Sequence, residues 1–214
     1  YDLEENVLFR NKNTPESIME IQHLYVQGGL HYTSNLACIC TPSRKKVNGV
    51  ALFDGVEIPE LGDQGTIWTS ARPNVFFCQG LQTKMGKDKR KSLNMAWEYD
   101  GHPFSNVNTR PWMGPKFWCP NMQSSYDGNN YKILRYADAI LMMAECYNEL
   151  GDDAKSVEYL NKTRNRAGLA DYVYRTSARL QDEIRNERAR ELFGEFQRKF
   201  DLVRWGIWYQ TVLD

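Results

Sequence analysis

The sequence has little histidine, no surplus of charge and no long hydrophobic run, and each shortage disfavours a class of function. Its 214 residues include three histidines, too few and too scattered for a catalytic triad or a zinc site. Lysine and arginine total 27, and aspartate and glutamate also total 27, so no basic excess is available to bind a nucleic-acid backbone. The apolar run 139–144 is far shorter than the ~20 residues of a membrane-spanning helix. We therefore expect neither nucleic-acid binding nor a membrane span in this chain.

Familiar catalytic motifs are also missing. The sequence contains no G-x-S-x-G, H-E-x-x-H or P-loop pattern, and each of these motifs carries a specific chemistry. Five cysteines form an odd set without framework spacing. Cys146 lies on a helical pattern and is predicted to be a core residue. We predict no catalytic residues and no metal site, and we do not expect an enzyme.

Glycine and proline are concentrated in residues 28–128, which hold eleven of the 15 glycines and seven of the 8 prolines. No helical period is sustained there, so this stretch predicts long loops with a few short strands or helices. Ordered loops of this length are usually functional. Before it, Pro15–Gln27 follows Thr14, a plausible N-cap, and predicts either a short helix or an extended strand. Residues 1–130 are thus predicted to be a loop-rich segment that carries the ligand-binding excursion.

From Tyr131 onward the pattern becomes helical. Gly151 is placed to end a first helix, and Asp152 is placed to cap a second helix that ends at Gly168. This helix–turn–helix resembles one tetratricopeptide unit of about 34 residues, which must stack on neighbours to bury its faces. A third helix is predicted over Ser177–Phe193. The first helix is predicted to turn one broad apolar face inward: Leu134, Ala137, Ile140, Leu141, Ala144, Tyr147 and Leu150. We predict a mainly α fold, with a tetratricopeptide-like segment over 131–214 and one domain overall.

The segment Glu187–Gly206 places nine charged residues on an apolar helical pattern that includes Phe196. Opposite charges recur at a spacing of three, in the pairs Arg188/Glu191, Glu195/Arg198, Arg198/Asp201 and Asp201/Arg204. Charges beside core residues are costly unless they are paired. We therefore predict a structural charge lattice made of Glu187, Arg188, Glu191, Glu195, Arg198, Asp201 and Arg204.

The same row of glutamates has a catalytic interpretation. Glu187, Glu191 and Glu195 share a helix face and could be the paired carboxylates of a glycosidase. Each has an arginine three residues away, and no apolar pocket that would raise a carboxyl pKa is evident. Structural pairing is the preferred interpretation, and a glycoside hydrolase is a distant alternative.

The motif E-R-x-x-E-L-x-x-E-x-x-R-x-x-D-L-x-R-W-G of this segment resembles the C-terminal signature of the SusD/RagB family, surface lipoproteins of Bacteroidetes nutrient-uptake systems. Two further segments are similar to the family in the same order. Arg135–Leu169 matches R-Y-A-[DE]-x-x-L-x-x-A-E-x-x-N-E-x-G and N-x-x-R-x-R-A-G-L, and Asn13–Gln22 matches N-x-x-E-x-I-x-x-[IV]-Q. Phe196-Gln197 departs from the Gly-His of many members, and the resemblance is weak over 28–126.

The resemblance implies a SusD-like α/α superhelix of tetratricopeptide-like repeats with a large loop-rich insert. It implies that this chain is the C-terminal portion of a longer lipoprotein, held at the cell surface in the outer membrane by a lipid on an N-terminal segment absent from the chain. Such a protein binds an oligosaccharide or polysaccharide and delivers it to a SusC-like TonB-dependent transporter, as in starch utilisation. A peptide- or protein-binding tetratricopeptide-like module is the alternative, because such grooves commonly hold peptides.

Aromatic residues in the loop-rich segment are the candidate binding residues. Aromatic faces stack on the polarised C–H faces of sugar rings. We predict ligand-binding roles for Trp68, Trp97, Tyr99, Tyr32 and Trp112. Trp97 and Tyr99 alternate, so they would point the same way if their segment is extended.

No cofactor is predicted, although calcium remains open because some relatives bind it. Four acidic loop residues could hold a hard cation together with backbone carbonyls, although their spacing matches no EF-hand: Asp54, Glu57, Glu60 and Asp63. Asp88, Arg90 and Arg72 resemble family positions that anchor the loop excursion and are predicted to be structural.

Overall fold

The computed structural model describes residues 1–26, 32–63, 67–105, 111–122 and 124–213. The chain divides into two compact units, which we call the loop-rich unit (Tyr1–Arg135) and the helical unit (Tyr136–Asp214). Helix is the predominant secondary structure, which confirms the predicted mainly α class.

The loop-rich unit contains short elements in three small antiparallel sheets. Its strands are β1 (Ser17–Ile21), β2 (Arg44–Val47), β3 (Val50–Phe53), β4 (Val56–Glu57), β5 (Glu98–Tyr99), β6 (His102–Pro103) and β7 (Tyr131–Arg135). Its helices are α1 (Leu3–Val7), α2 (Leu36–Cys40), α3 (Val75–Phe77) and α4 (Arg90–Asn94), with single turns at Pro59–Leu61, Cys78–Gln82, Thr83–Met85 and Pro115–Phe117. The sheets pair β1 with β7, β2 with β3 and β4, and β5 with β6. Of the two conformations predicted for Pro15–Gln27, the strand is the one observed.

Tight turns join the strands of the two hairpin sheets. The turn residues are Asn48-Gly49, Asp54-Gly55 and Asp100-Gly101, and all six have positive φ, between 49° and 87°. Two consecutive residues with positive φ define the type I′ turn, whose twist matches that of the flanking strands. Asparagine, aspartate and glycine tolerate this backbone conformation best, so these dipeptides fix the register of the hairpins.

The main core of the loop-rich unit is aromatic. Phe53, Phe104, Trp112 and Trp118 pack together with Ile58 and smaller apolar residues, and all are buried. Gly114 permits a close approach at its edge, because a Cβ there would lie 2.4 Å from the carbonyl oxygen of Leu93. Only glycine fits such a contact.

Buried ion pairs hold β1 against β7. Arg135 Nη1 donates to Glu16 Oε1 at 2.7 Å, with both side chains 1 % exposed. Lys132 Nζ donates to the carbonyls of Asn6 and Asn11 at 2.9 Å. Residues 131–135 therefore belong to a strand of the loop-rich unit, and the prediction that helix begins at Tyr131 is wrong. The apolar spacing used for the prediction begins at Leu134, which lies in this strand. The predicted helix therefore included a strand that precedes it.

The helical unit contains α5 (Tyr136–Glu149), α6 (Asp153–Arg166), α7 (Ser177–Glu191), α8 (Arg198–Arg204) and α9 (Trp208–Leu213). The pair α5 and α6 is the tetratricopeptide-like hairpin, joined by Gly151 at φ 78°. Asp152 caps α6 by accepting from Lys155 N at 3.2 Å, and Thr176 caps α7 by accepting from Arg179 N at 3.2 Å. A small aliphatic core joins the three long helices: Leu141, Ala144, Leu160, Leu180 and Ile184.

Three predicted inward residues of the helical unit are exposed. Cys146 is exposed, Leu150 is 81 % exposed and Phe196 is 55 % exposed, so the prediction of a core position is wrong for each. Leu150 lies after the last residue of α5, and Phe196 lies in the turn between α7 and α8. The predicted third helix ends at Glu191 instead of Phe193, because Gly194 and Phe196 adopt positive φ.

Candidate functional site

The predicted binding aromatics occupy three different environments in the loop-rich unit. Trp112 is 2 % exposed. Its Nε1 donates to Asp54 Oδ2 at 2.8 Å, and the guanidinium of Arg72 lies 3.4 Å from its ring centroid. Trp112 offers no free face to a ligand, and its place in the aromatic core corrects the sequence-based prediction.

Trp97 is held in place from two sides. Its Nε1 donates to the carbonyl of Lys91 at 2.9 Å, and the Lys91 ammonium lies 5.0 Å from its ring centroid. Trp97 is partly buried and precedes the two-residue strand β5. Lys91 thus contacts both the ring nitrogen and the ring face of Trp97, which favours a structural role for this tryptophan.

Tyr99 lines an open cavity of about 530 Å³ together with Glu57, Pro59, Asp100 and His102. The β5–β6 hairpin positions it, because Tyr99 and His102 pair across the turn. Burial, together with the charges of Glu60 and Asp100, raises the pKa of the Tyr99 hydroxyl. A tyrosine hydroxyl is protonated at neutral pH in any case and can donate a hydrogen bond. This cavity combines one aromatic face with carboxylates.

Trp68 and Tyr32 are the two predicted residues that expose broad faces. Trp68 is 55 % exposed and Tyr32 is 77 % exposed. Backbone bonds fix both: Trp68 N donates to the carbonyl of Cys38 in α2 at 3.1 Å, and Tyr32 forms a two-way bridge with Leu24. Exposed aromatic rings on a fixed backbone are what stacking on a ligand requires.

A second cavity, of about 270 Å³, opens beside these two residues, and we call it the Tyr25 pocket. Leu24, the bridge partner of Tyr32, lines it. Met122 also lines it and packs on Ala37 and Cys38, where Trp68 is anchored. The described lining residues are Arg10, Lys12, Leu24, Tyr25, Cys119, Pro120, Asn121, Met122, Tyr126, Asp127, Gly128 and Asn129. The pocket thus combines two tyrosines, two cations and two side-chain amides.

Asp127 organises the floor of the Tyr25 pocket. Its Oδ2 accepts from Ala37 N and its Oδ1 accepts from Asn129 N, each at 2.9 Å, while its backbone pairs with Ser34. Burial raises the pKa of the Asp127 carboxyl, and these hydrogen bonds oppose the shift. Asp127 therefore fixes the first turn of α2 and leaves no carboxylate oxygen directed at a ligand.

Tyr25 and Tyr126 were not among the predicted binding residues. Tyr126 is 46 % exposed, and Tyr25 is partly buried. Both occur in the aromatic composition that pointed to the loop-rich segment. What distinguishes them from the other aromatic residues is that residues 24–25, 119–122 and 126–129 line the same pocket. Local sequence spacing does not predict such a long-range contact.

The predicted charge lattice lies in the helical unit, with partners that differ from the sequence prediction. Arg188 forms ion pairs with Asp138 at 2.8 Å and Asp201 at 2.9 Å, and all three side chains are nearly buried. Arg190 pairs with Glu187 at 2.8 Å. Partners thus come from α5, α7 and α8 together.

Two further links extend this network to α6 and back to α5. Arg166 pairs with Glu191. Arg204 pairs with Asp201 at 2.9 Å and also binds Glu145. The network therefore ties all four of α5, α6, α7 and α8 together.

Of the four predicted spacings, only Asp201/Arg204 forms an ion pair in the part of the chain that the structure describes. Arg198 instead donates to the backbone carbonyl of Arg185 at 3.1 Å, and its guanidinium lies 5.5 Å from the ring centroid of Trp205. Glu195 is buried and interacts with another residue of the protein. The turn between α7 and α8 breaks the helical register for Glu195/Arg198. The other two pairs each lie within one helix, but Arg188 pairs with Asp138 and Asp201 instead, and Arg198 donates to the Arg185 carbonyl.

Neither metal chemistry nor a membrane span is indicated by the described residues. Among them, no three His, Cys, Asp or Glu side chains are grouped so as to hold a metal ion. Three of the four acidic residues considered for calcium have other partners: Asp54 accepts from Ser105 and Trp112, Asp63 pairs with Lys46 at 2.8 Å, and Glu60 lies 4.0 Å from Arg10. No helix in the described ranges is both long and apolar enough to cross a membrane.

Known proteins similar to this chain belong to one family. Residues 61–214 match the SusD family. SusD-like protein P25 of Formosa agariphila is 36% identical over 134 residues, which are 59% of this chain and 24% of that protein. The chain therefore spans far less than the full length of this curated relative.

Solved structures give the same result over nearly the whole chain. A SusD superfamily protein of Bacteroides vulgatus is 26% identical with a TM-score of 0.66, covering 99% of this chain and 46% of its own. Surface glycan-binding protein A of Bacteroides uniformis is 25% identical with a TM-score of 0.66, covering 94% of this chain and 41% of its own. Because the family match covers most of the sequence and the fold agrees, the chain belongs to the SusD family.

Proposed function

We propose that this chain is part of a non-catalytic cell-surface protein that binds glycans, and that the loop-rich unit contains the binding surface. The observation that carries the proposal is the exposure of three aromatic faces in the loop-rich unit, one of which lines the Tyr25 pocket while the other two are linked to it through neighbouring residues. Trp68, Tyr32 and Tyr126 are 55 %, 77 % and 46 % exposed, although aromatic side chains of this size are usually largely buried. A similar protein, surface glycan-binding protein A of Bacteroides uniformis, supports the ligand class.

The chemistry of the pocket suits a sugar. Stacking on tyrosine or tryptophan holds the C–H face of a sugar ring, and amide and cationic donors around the rim bind its hydroxyl oxygens. A cavity of about 270 Å³ with exposed aromatics outside it would take one end of an oligosaccharide and leave the rest on the surface. Tyr99 and its larger cavity form a secondary candidate surface.

Delivery and location follow from the family in this proposal. The bound glycan would pass to a SusC-like TonB-dependent transporter, and the protein would be held at the outer membrane by a lipid on a segment that precedes this chain. Nothing in the arrangement of Glu187 and Glu191 supports hydrolysis, because both are buried and paired with arginine. A glycosidase needs its carboxylates open to the scissile bond.

Affinity electrophoresis against a panel of neutral and acidic polysaccharides tests the proposal. We expect retardation by at least one glycan, and we expect Tyr32→Ala or Trp68→Ala to weaken it about tenfold, the scale of losing a stacking platform. Tyr209→Ala is the matched control, because Tyr209 is 75 % exposed but lies in the helical unit. Equal loss with the control variant, or no retardation by any glycan, would contradict the proposal. Release of reducing ends from a bound glycan would contradict the non-catalytic assignment.

A peptide ligand is the second candidate, and it rests on a different surface. In the helical unit, Met142, Cys146 and Leu150 line an open cavity of about 690 Å³ together with Glu145, Glu149 and Arg204. Apolar grooves between helices commonly bind peptides. This reading predicts that a fluorescent hydrophobic peptide binds the chain and that Leu150→Asp abolishes its binding, while Tyr32→Ala leaves it unchanged. If Tyr32→Ala abolishes glycan binding and no peptide binds the chain, the result favours the glycan-binding proposal over the peptide-binding one.

A further inference from the structure

Two cations are built into one wall of the Tyr25 pocket. Arg10 and Lys12 line it, directly after Phe9, which is fully buried. Phe9 N donates to the carbonyl of Lys116 at 2.9 Å, and the Phe9 ring packs edge-on against Phe117 with centroids 5.2 Å apart. The backbone that carries the two cations is therefore fixed.

Arg10 has an unused donor. Its Nη1 is buried and has no hydrogen-bond partner. The carboxylate oxygen paired with it, Glu60 Oε2, lies 4.0 Å away, which is beyond hydrogen-bond distance. A buried guanidinium nitrogen without an acceptor is unfavourable. The Arg10 side chain is 28% exposed and lines the cavity, so a small turn of its guanidinium would let it meet a ligand oxygen there.

Lys12 has donors to spare as well. Its Nζ donates to the carbonyl of His23 at 2.7 Å, which fixes the ammonium but uses one of its three hydrogens. Among the residues that the structure describes, Lys12 has no carboxylate partner. A Cβ on Gly128 would lie 3.6 Å from this Nζ, so the ammonium lies against the pocket wall.

The carboxylate inside the pocket is already occupied by other hydrogen bonds. Asp127 is the one carboxylate among the described lining residues, it is 1 % exposed, and both its oxygens accept backbone N–H groups of Ala37 and Asn129. Glu60 lies near the pocket, because its backbone carbonyl accepts a hydrogen bond from the backbone N–H of the lining residue Asn121 at 3.0 Å. It is the nearest competitor for Arg10.

We infer that the Tyr25 pocket selects sugars that carry an acidic group, with Arg10 and Lys12 binding the anion while the tyrosines stack on the ring. The inference rests on the proposed function and adds the ligand class. Arginine forms directional, charge-assisted hydrogen bonds to planar carboxylates and to oxyanions of the phosphate type, so a uronic acid carboxylate and a sulfate ester share the required chemistry.

The test compares matched oligosaccharides by calorimetric titration of the purified chain. One arm uses an oligouronate and its methyl ester, and the other uses a sulfated oligosaccharide and its desulfated form. We expect the acidic member of at least one pair to bind about tenfold more tightly, the effect of a charge-assisted contact. This preference should shrink as salt is raised, because the anion competes with dissolved ions.

Three variants locate the effect. Arg10→Gln and Lys12→Gln should each remove most of the preference by weakening the acidic sugar far more than its neutral counterpart, whereas Glu60→Gln should increase the preference. Lys46→Gln is the matched control, because Lys46 is half exposed and its pair with Asp63 lies outside the pocket lining. Thermal melts check that each variant is folded.

The outcomes separate the two proposals. If neutral and acidic sugars bind equally, or if Arg10→Gln and Lys12→Gln keep the preference, the inference is overturned while glycan binding stands. If no oligosaccharide of either kind binds, the proposed function fails and the inference fails with it. If acidic sugars are preferred but Lys46→Gln removes the preference as fully as Arg10→Gln, the binding is a diffuse effect of net charge, and the assignment to this pocket is overturned.

Discussion

The two units both contain buried ion pairs, such as Arg135–Glu16 in the loop-rich unit, but they differ in what else fills their interiors. The loop-rich unit has a core of large aromatic residues, including Phe53, Trp112 and Trp118. The helical unit has a small aliphatic core around Leu141 and Leu160, and next to it a network of buried charges. Both units also expose aromatic residues, and in the loop-rich unit one of them, Tyr126, lines a pocket that has hydrogen-bond donors.

The difference has a geometric cause. Long helices pack on one another over aliphatic stripes that can slide, and a buried ion pair between helices penalises every register but one. Short strands and loops have little regular backbone pairing, so large rings that interlock must fix them instead. The comparison predicts that charge removal is most damaging at a cation that links several helices, and that ring removal is most damaging in the loop-rich core.

The largest expected effect is at the centre of the charge network. Arg188→Ala leaves Asp138 and Asp201 buried without their shared cation, and we expect a loss of about 3–5 kcal/mol in the free energy of unfolding. Chemical denaturation followed by circular dichroism measures it. Arg179→Ala is the control, since Arg179 is 74% exposed and 3.9 Å from Asp182. A melting temperature that falls equally little in both variants would show that burial of the network contributes nothing.

The next largest effect separates two tryptophans of the loop-rich unit. Trp112→Ala removes a buried ring from the aromatic core and leaves Asp54 without one donor, so we expect a loss of about 3 kcal/mol. Trp68→Ala removes a ring that is 55 % exposed, and we expect less than about 0.5 kcal/mol. Urea denaturation of both variants gives the comparison. Similar losses would mean that Trp68 is part of the core and is no ligand platform.

The sequence predicted the helical unit better than the loop-rich unit, for a physical reason. A period of 3.6, the cap Asp152 and the terminal glycines Gly151 and Gly168 are local signals, so the long helices follow from short windows of sequence. The charge partners do not, because Arg188 reaches Asp138 on another helix. Spacing along one helix supplies the pairs Asp201/Arg204 and Glu187/Arg190, which are three residues apart.

In the loop-rich unit, the hairpins were open to prediction and the pocket was not. Asn48-Gly49, Asp54-Gly55 and Asp100-Gly101 are the dipeptides that type I′ turns favour, so the strands beside them could have been predicted. The burial of Trp112 and the exposure of Trp68 depend on contacts distant in sequence. An aromatic residue in a glycine-rich loop has the same local sequence pattern in either case.

A smaller predicted effect is the pH dependence of the stability that Glu145 contributes to the charge network. Burial raises the pKa of Glu145, but hydrogen bonds from Arg204 and Trp205 and the charge of Arg204 outweigh it and hold the pKa below its ordinary value. The unfolded chain therefore takes up the proton first as pH falls, and stability is lost below about pH 4.3, the ordinary glutamate pKa. Glu145→Gln should cost about 1 kcal/mol at pH 7, because its partner Arg204 is 43% exposed.

Melts from pH 7 to pH 3 separate this contribution from the other carboxylates. The difference in stability between the original chain and Glu145→Gln should be constant near neutral pH and should shrink as pH falls through the lowered pKa of Glu145. A difference that grows at acid pH would reverse the sign and contradict the pairing.

The smallest effect concerns a charge pair on the surface of the same helical unit. Glu158 and Lys162 lie four residues apart on α6 with 3.3 Å between Oε1 and Nζ, and their side chains are 64% and 44% exposed. Water already solvates both charges, so Glu158→Gln should cost only about 0.3–0.5 kcal/mol, and less in high salt. Lys162 also keeps its contact with the ring of Tyr159, whose centroid is 4.0 Å away. Thermal melts at low and high salt measure the loss. If it approached that of Arg188→Ala, the number of charge pairs and not their burial would stabilise the helical unit, and the contrast with the aromatic core would fail.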